Sequence, residues 1–460
     1  MKKYIGDKKF YSKLFAVMIP VLIQNVITNF VSMLDNIMVG RIGTEQMSGV
    51  AIVNQILFIF NLGVFGSLAG AGIYTAQYHG KGDHEGVRCS TRFKLFIVTG
   101  VLAAALTILL TMGEQLIGSF IHEGEDALDL AATAAYAKDY LRIMIFQMPL
   151  FALINVYSSA LRETGETKLP MRAGITAVFV NLFFNYMLIY GKLGAPMLGV
   201  RGAAIATVIS RIVECGITMI YTHTHTDKHP FAKGLFSSLH VPADLAKQTA
   251  KMGLPLLVNE LMWSGGMTTL NQIYSRRGLE VVSAQNISTT ISNLFFCGFF
   301  AMGTSVSIIV GQLLGAGKLE EAVDEDRKLL AFTVALNTVV GAVMVLVAPL
   351  LPKIYNTTDI VRTLAKDMLI VNAIMMPANA YTNACYFTLR SGGKSFITFL
   401  YDSCYIWVLS IPLALVLINY TNMKIVPIFA LVCGVDIIKC MIGYIFVKKR
   451  IWVNNLVVTD

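Results

Sequence analysis

Apolar runs of about 20 residues, each enough to cross a hydrocarbon core about 30 Å thick, recur along the whole chain. Twelve are read, beginning near Leu14, Ser48, Arg92, Ala135, Leu169, Arg201, Ala250, Ser283, Lys328, Arg362, Phe396 and Lys424. Lipid offers no partner to a backbone N–H or C=O, so runs of this length are expected as helices that satisfy their own backbone. The expected class is an all-α membrane protein with twelve transmembrane helices, multi-pass in the cell membrane and with the lipid bilayer as its surroundings. Composition agrees, because only 14% of the residues are charged, against roughly 25% in soluble proteins.

The net charge of +9 raises the question of a polyanionic partner. On the twelve-span map with the N-terminus inside, cytoplasmic segments hold 24 of the 37 Lys and Arg, external loops 9 and spans 4. Such a bias is the positive-inside rule. It accounts for the basic balance without nucleic acid, places both termini in the cytoplasm, and puts HEGEDALD (122–129) in an external loop with no Lys or Arg before Lys138. The first apolar run is too long for a signal-peptide core and is expected to be retained. No CxxC pair occurs among the seven cysteines, so no disulfide framework is expected.

The halves repeat. Shifted by 235 residues, RIGTEQMS (41–48) meets RRGLEVVS (276–283), QYHGKGDHE (77–85) meets QLLGAGKLE (312–320), and Pro20 meets Pro255. Shifted by 228, Met148-Pro149 meets Met376-Pro377, and LRETGET (161–167) meets LRSGGKS (389–395). Six spans per copy is an even number, so both copies keep one orientation, related by a pseudo-two-fold axis along the membrane normal. The expected organisation is an N-terminal lobe over 1–221, a cytoplasmic linker over 222–248 and a C-terminal lobe over 249–460.

Within the spans, polar residues fall on stripes. The first carries Gln24, Asn25, Thr28, Asn29, Ser32, Asp35 and Asn36, and its repeat carries Asn259, Glu260, Ser264, Thr268, Asn271 and Gln272 with Trp263 alongside. A spacing of three to four residues puts each set on one helix face, which predicts a wet cleft. Asp35 aligns with Leu270, and Glu260 aligns with Asn25. A carboxylate in a span costs roughly 2.5–3.5 kcal/mol on insertion scales, so Asp35, Glu260 and Asp402 in FLYDSCYIW are candidates for ion coupling or for lining a cavity. Solvation near the interface, or acceptance of a packing hydrogen bond, is the alternative for each. Arg211 with Glu214 and Asp436 with Lys439 are spaced i,i+3, and mutual neutralisation within each helix is expected. Pro20 and Pro255 are candidate bend points.

Other signals point nowhere. His223, His225 and His229 lack a fourth ligand and read as a solvated linker; HGKGD lacks the spacing of a phosphate loop. No nucleophile, base and orienting acid come together, so an enzyme is not expected.

In their order across twelve spans, Pro20 and Asp35, MLDNIMVGRIG, AQYHGKGD, LRETGETKLP, NLFFNYMLIYGKLGAPMLGVRGAAIAT (181–207) and LRSGGKS resemble the multidrug and toxic compound extrusion (MATE) transporters. The resemblance implies two six-helix lobes and export of amphipathic, often cationic small molecules by antiport with H⁺ or Na⁺. It also implies no cofactor, and no metal other than Na⁺ considered near Asp35; a single chain is expected to work as a monomer. Asp35 matches the family's first-span acid, linked to bending at Pro20. Asn181, Asn185 and Thr207 match an N-lobe cation site, with Asn185 standing where one branch has an aspartate. Glu260 resembles a seventh-span glutamate of the C-lobe, where Asn259, Trp263 and Asp402 are expected to line the substrate cavity. Two other readings are a lipid-linked precursor flippase, which calls for a markedly basic cavity, and a receptor or scaffold without turnover, which gives no reason for matched polar stripes.

Overall fold

A computed structural model describes residues 4–120, 129–238, 240–355 and 357–458; within the first helix the side chains of residues 31–33 and 36 are also outside the description. The HEGEDALD expectation therefore falls almost wholly outside the described residues, as do the Ser32 and Asn36 side chains of the first polar stripe.

Among the described residues the chain is helical, without strands. Twelve helical rods follow one another. They are α1 (Lys8–Gly40), α2 (Thr44–Lys81), α3 (His84–Phe120), α4 (Leu130–Met144 and Gln147–Glu163), α5 (Lys168–Tyr190) and α6 (Val200–Thr224), then α7 (Ala243–Ser275), α8 (Leu279–Gly315), α9 (Leu319–Val347), α10 (Asp359–Ser391), α11 (Ser395–Tyr420) and α12 (Ile425–Lys448). Nine of these are long and apolar enough on their own to cross a membrane, and the bent α4 makes ten. α7 and α10, 33 residues each, have the length but not the apolarity, because Asn259, Glu260, Asn271 and Gln272 lie on one and Asn372, Asn379 and Asn383 on the other.

The sequence repeat is a structural one. Gly82 and Gly317, partners at the 235 shift, end α2 and α8 with φ of +80° and +73°, a conformation open to glycine at little steric cost. Gly165 and Gly393, partners at the 228 shift, do the same after α4 and α10 with φ of +88° and +73°. The matched prolines behave differently. Pro149 lies in the first turn after a 49° bend in α4, where its missing N–H costs no helical bond, whereas Pro377 lies inside the unbroken α10. α1 and α7 likewise run through Pro20 and Pro255.

By contact the chain forms two compact units. One comprises Ile23–Thr75 and Asp83–Ala250, the other Met1–Leu22, Ala76–Gly82 and Lys251–Asp460. The core of the first gathers Val53, Val64, Ile117, Met148 and Ile189. Beside it Lys94, with no exposed surface, is paired with Glu163 and donates to Ser159 Oγ at 2.9 Å. The linker is held at Gly234 and Leu235 by Arg92, which donates to the carbonyls of Leu235 at 2.9 Å and Gly234 at 2.8 Å. The linker histidines, read from the sequence as solvated, are partly packed instead: Tyr157 Oη is 2.8 Å from His223 Nε2, the His225 ring stacks on Tyr221 at 4.0 Å, and His229 is buried.

The second unit has two cores, one around Leu270, Met344, Leu369 and Ile428, the other around Leu14, Val306, Leu314, Leu389 and Trp452. In it α2 and α8 cross at matched glycines, Gly80 and Gly315. The segment after α12 is sewn onto this crossing: Gln77 Nε2 donates to the carbonyls of Ser391 (3.0 Å) and Asn454 (3.3 Å), and Gln77 Oε1 accepts from Leu456 N at 2.7 Å. Trp452 is fully buried.

Candidate functional site

Three helices of the first unit converge on Asp35. Gly202 lets α6 lie against α5, since a Cβ there would sit 2.6 Å from the Leu188 carbonyl oxygen. Tyr190 Oη, at the end of α5, donates to the Met38 carbonyl at 2.9 Å and so fastens α5 to α1. Asn181 and Asn185, one turn apart on α5, then face the carboxylate. Asn185 Nδ2 donates to Asp35 Oδ1 at 2.7 Å. The Asn181 amide, with its nitrogen turned to the acid, donates to Oδ1 at 2.9 Å and Oδ2 at 3.2 Å. Its other end is 3.4 Å from Thr207 Oγ1 on α6. Both asparagines are buried, and Asn185 Oδ1 has no hydrogen-bond partner among the described residues. Two amides one turn apart thus face one acid with neutral donors and leave one buried acceptor over.

One turn further along α6, Arg211 donates to Glu214 Oε2 at 2.5 Å, so this pair forms within its helix as its spacing suggests. Its guanidinium carbon lies 5.8 Å from the Phe151 ring centre.

In the second unit the expected residues split into two neighbouring arrangements. Glu260 Oε1 accepts from Tyr386 Oη at 3.3 Å. Asn259 Nδ2 donates to Asp402 Oδ2 at 3.1 Å, and Ser403 Oγ donates to Asn259 Oδ1 at 2.7 Å. Trp263 is 36% exposed, so its ring is not built into either arrangement. The expected pairing of Asp436 with Lys439 gives way to another: Lys439 Nζ donates to Asp402 Oδ1 at 2.7 Å. A partner across the α11–α12 packing wins over the one along the helix because it places the ammonium between two rings, Tyr401 and Tyr405. Sequence reasoning named Lys439 with Asp436 as its partner, and missed Tyr386, Tyr401 and Tyr405. The available signal was Tyr401 and Tyr405 flanking Asp402 at a spacing that puts two rings on one helix face.

The MatE family model matches residues 20–187 and 255–416, two stretches that begin 235 residues apart, at Pro20 and Pro255. The chain belongs to the MatE family. Members of this family are transporters rather than enzymes, in keeping with the absence of a catalytic set in the sequence. Among curated relatives, the "Probable multidrug resistance protein NorM" of Thermotoga maritima is 25% identical over 452 residues, covering 97% of this chain and 94% of that protein. The "Probable multidrug resistance protein YoeA" of Bacillus subtilis is 24% identical over 460 residues, covering 96% and 94%. Among solved structures, the Vibrio cholerae MATE transporter VcmN superposes with a TM-score of 0.87 at 16% identity over 99% of both chains. A MOP superfamily transporter from Pyrococcus furiosus superposes with a TM-score of 0.84 at 18% identity over 98% and 97%. Those two likenesses establish the fold: a MATE-type bundle of twelve transmembrane helices in two pseudo-symmetric halves.

Proposed function

We propose that this MatE protein is a secondary multidrug exporter in which an H⁺ entering at Asp35 drives outward movement of amphipathic, cationic compounds. The observation that carries the reading is the unpartnered Asn185 Oδ1 beside an acid ringed by neutral groups. With Asp35 ionised, the Asn185 N–H donates to it. A half-turn of that amide presents Oδ1 instead, which accepts from the protonated carboxyl, so the ring can hold either protonation state without a second charge. The ring carries a single carboxylate among neutral amides, so one H⁺ neutralises it and no further ligand is required. Each charge moving inward through 100 mV supplies about 2.3 kcal/mol.

The remaining parts of the reading follow from the same frame. The lobes are 1–221 and 249–460, joined by the 222–248 linker. The chain works as a monomer in the cell membrane with both termini cytoplasmic, and substrate meets Glu260, Trp263 and their neighbours in the C-lobe. Pro20 and Pro255 serve as bend points.

Export of an organic cation from proteoliposomes, with pH and Na⁺ gradients imposed separately, tests this. The pH gradient alone is expected to drive export by the wild type and not by Asp35→Asn. Gradient-driven export by Asp35→Asn, or export driven by Na⁺ after collapse of the pH gradient, would overturn the mechanism.

A further inference from the structure

A lysine buried within a span is expensive, by roughly 2.5–3.5 kcal/mol on insertion scales, and Lys439 is only 9% exposed. Its surroundings are built for an ammonium ion. Nζ lies 2.7 Å from Asp402 Oδ1, and 5.3 Å and 5.7 Å from the ring centres of Tyr401 and Tyr405. Both distances are within the roughly 6 Å reach of a cation–π contact. The cage has its own supports. Asn259 Nδ2 donates to the second oxygen of Asp402 at 3.1 Å, and Ser403 Oγ fixes that amide at 2.7 Å. The Tyr405 hydroxyl donates to the Val435 carbonyl, at the break between the two segments of α12. Gly443, one turn beyond Lys439, makes room for the Tyr401 ring, whose hydroxyl would lie 2.6 Å from a Cβ there. Residues Leu400–Cys404 and Ile406–Ser410 form π turns, insertions that interrupt the helical register and cluster at functional sites.

One acid, two aromatic faces and a fixed amide make up the recognition chemistry of a small organic ammonium. We propose that the Asp402 cage is a binding site for a primary alkylammonium ion whose resident ligand is the chain's own Lys439. Asp402 then carries its cation with it and needs no coupling ion from outside, a consequence that rests on the antiport reading and assigns coupling to Asp35.

Lys439→Ala leaves a gap matching n-propylammonium, which supplies the three deleted carbons and the nitrogen. Thermal unfolding of the purified variant in detergent is the decisive measurement. The midpoint is expected to fall, and millimolar n-propylammonium is expected to restore at least half of the loss. Tetramethylammonium, which has no N–H to give Asp402, and Na⁺ are expected to restore none. The double variant Asp402→Asn/Lys439→Ala is expected to show no response to n-propylammonium. Equal stabilisation by all three cations, no stabilisation by any, or an undiminished response in the double variant would overturn the proposal.

If Lys439→Ala does not survive purification, the same preparation is made with n-propylammonium present throughout. Recovery of folded protein only in its presence supports the cage. Recovery in neither buffer, while the double variant folds normally, overturns it. Export by Lys439→Ala in proteoliposomes separates the two readings: thermal rescue without any gradient-driven export, in wild type as well as variant, would sink the antiport reading and leave the cage standing.

Discussion

Gly80 and Gly315 are packed reciprocally at the α2–α8 crossing: a Cβ on Gly80 would lie 1.9 Å from the Gln312 carbonyl oxygen, and one on Gly315 would lie 1.9 Å from that of Gln77. Backbone is not a flexible side chain and cannot swing aside. Gly80→Ala and Gly315→Ala are each expected to lower stability by about 1–3 kcal/mol, the usual range for overpacking. Gly100→Ala, where the added methyl meets nothing within 4 Å, is the control and should leave the unfolding midpoint nearly unchanged. An unfolding titration in detergent compares the three.

The Asp35 ring holds one formal charge, and Asn185→Asp would place a second carboxylate at hydrogen-bonding distance from the first. Two like charges so close disfavour joint ionisation unless a cation lies between them. The expected result is a variant whose thermal midpoint rises with added NaCl but not with choline chloride, a difference the wild type lacks. Asn185→Leu removes the amide without adding charge and should lose pH-driven export by at least tenfold while gaining no response to Na⁺.

Lys94 and Glu163 form a buried pair completed by Ser159, which donates to Glu163 Oε1 at 2.8 Å. Lys94→Met takes the ammonium from the acid, and loss of one partner from a buried pair typically costs about 3–5 kcal/mol. Lys94→Met/Glu163→Gln removes both charges and should recover most of that loss. A double-mutant cycle on unfolding free energy measures the coupling directly.

His229 lies outside the spans, buried, with its Nε2 without a hydrogen-bond partner among the described residues. Burial pushes its imidazole below the ordinary value of 6.5, Lys228 and His225 push the same way, and Glu166 opposes them. The unfolded chain therefore takes up the proton first as pH falls. Stability is full above about 6.5 and declines as pH drops toward the lowered folded value, by the usual linkage. His229→Leu should flatten the unfolding midpoint between pH 7 and 5 relative to the wild type.

Much of this organisation was written in the sequence. The 235-residue shift exposes the repeat because matched glycines must end α2 and α8 in the same left-handed turn, and the polar stripes mark α1 and α7 because lipid cannot satisfy them. The Asp35 ring was reached through resemblance, since nothing in the composition of α5 distinguishes Asn181 and Asn185 from other polar residues within a span. Lys439 was misjudged for a physical reason. Spacing along a helix reports the neighbour at i,i+3, whereas a buried ammonium goes to whichever helix offers it a carboxylate and aromatic faces. The contrast between Pro149 and Pro377 was equally hidden: both occur in the same dipeptide, and only tertiary packing decides whether the helix bends at the proline or runs through it.

Gln77 lies near the end of the second helix, yet its side chain is completed by Asn454 and Leu456, 377 and 379 positions further along. The same amide also reaches the Ser391 carbonyl at the end of α10, so one side chain holds three separate stretches of the chain together. Gln77→Leu would therefore leave two carbonyls and one backbone N–H without their partner at once, a single substitution felt both at the end of α10 and in the segment after α12.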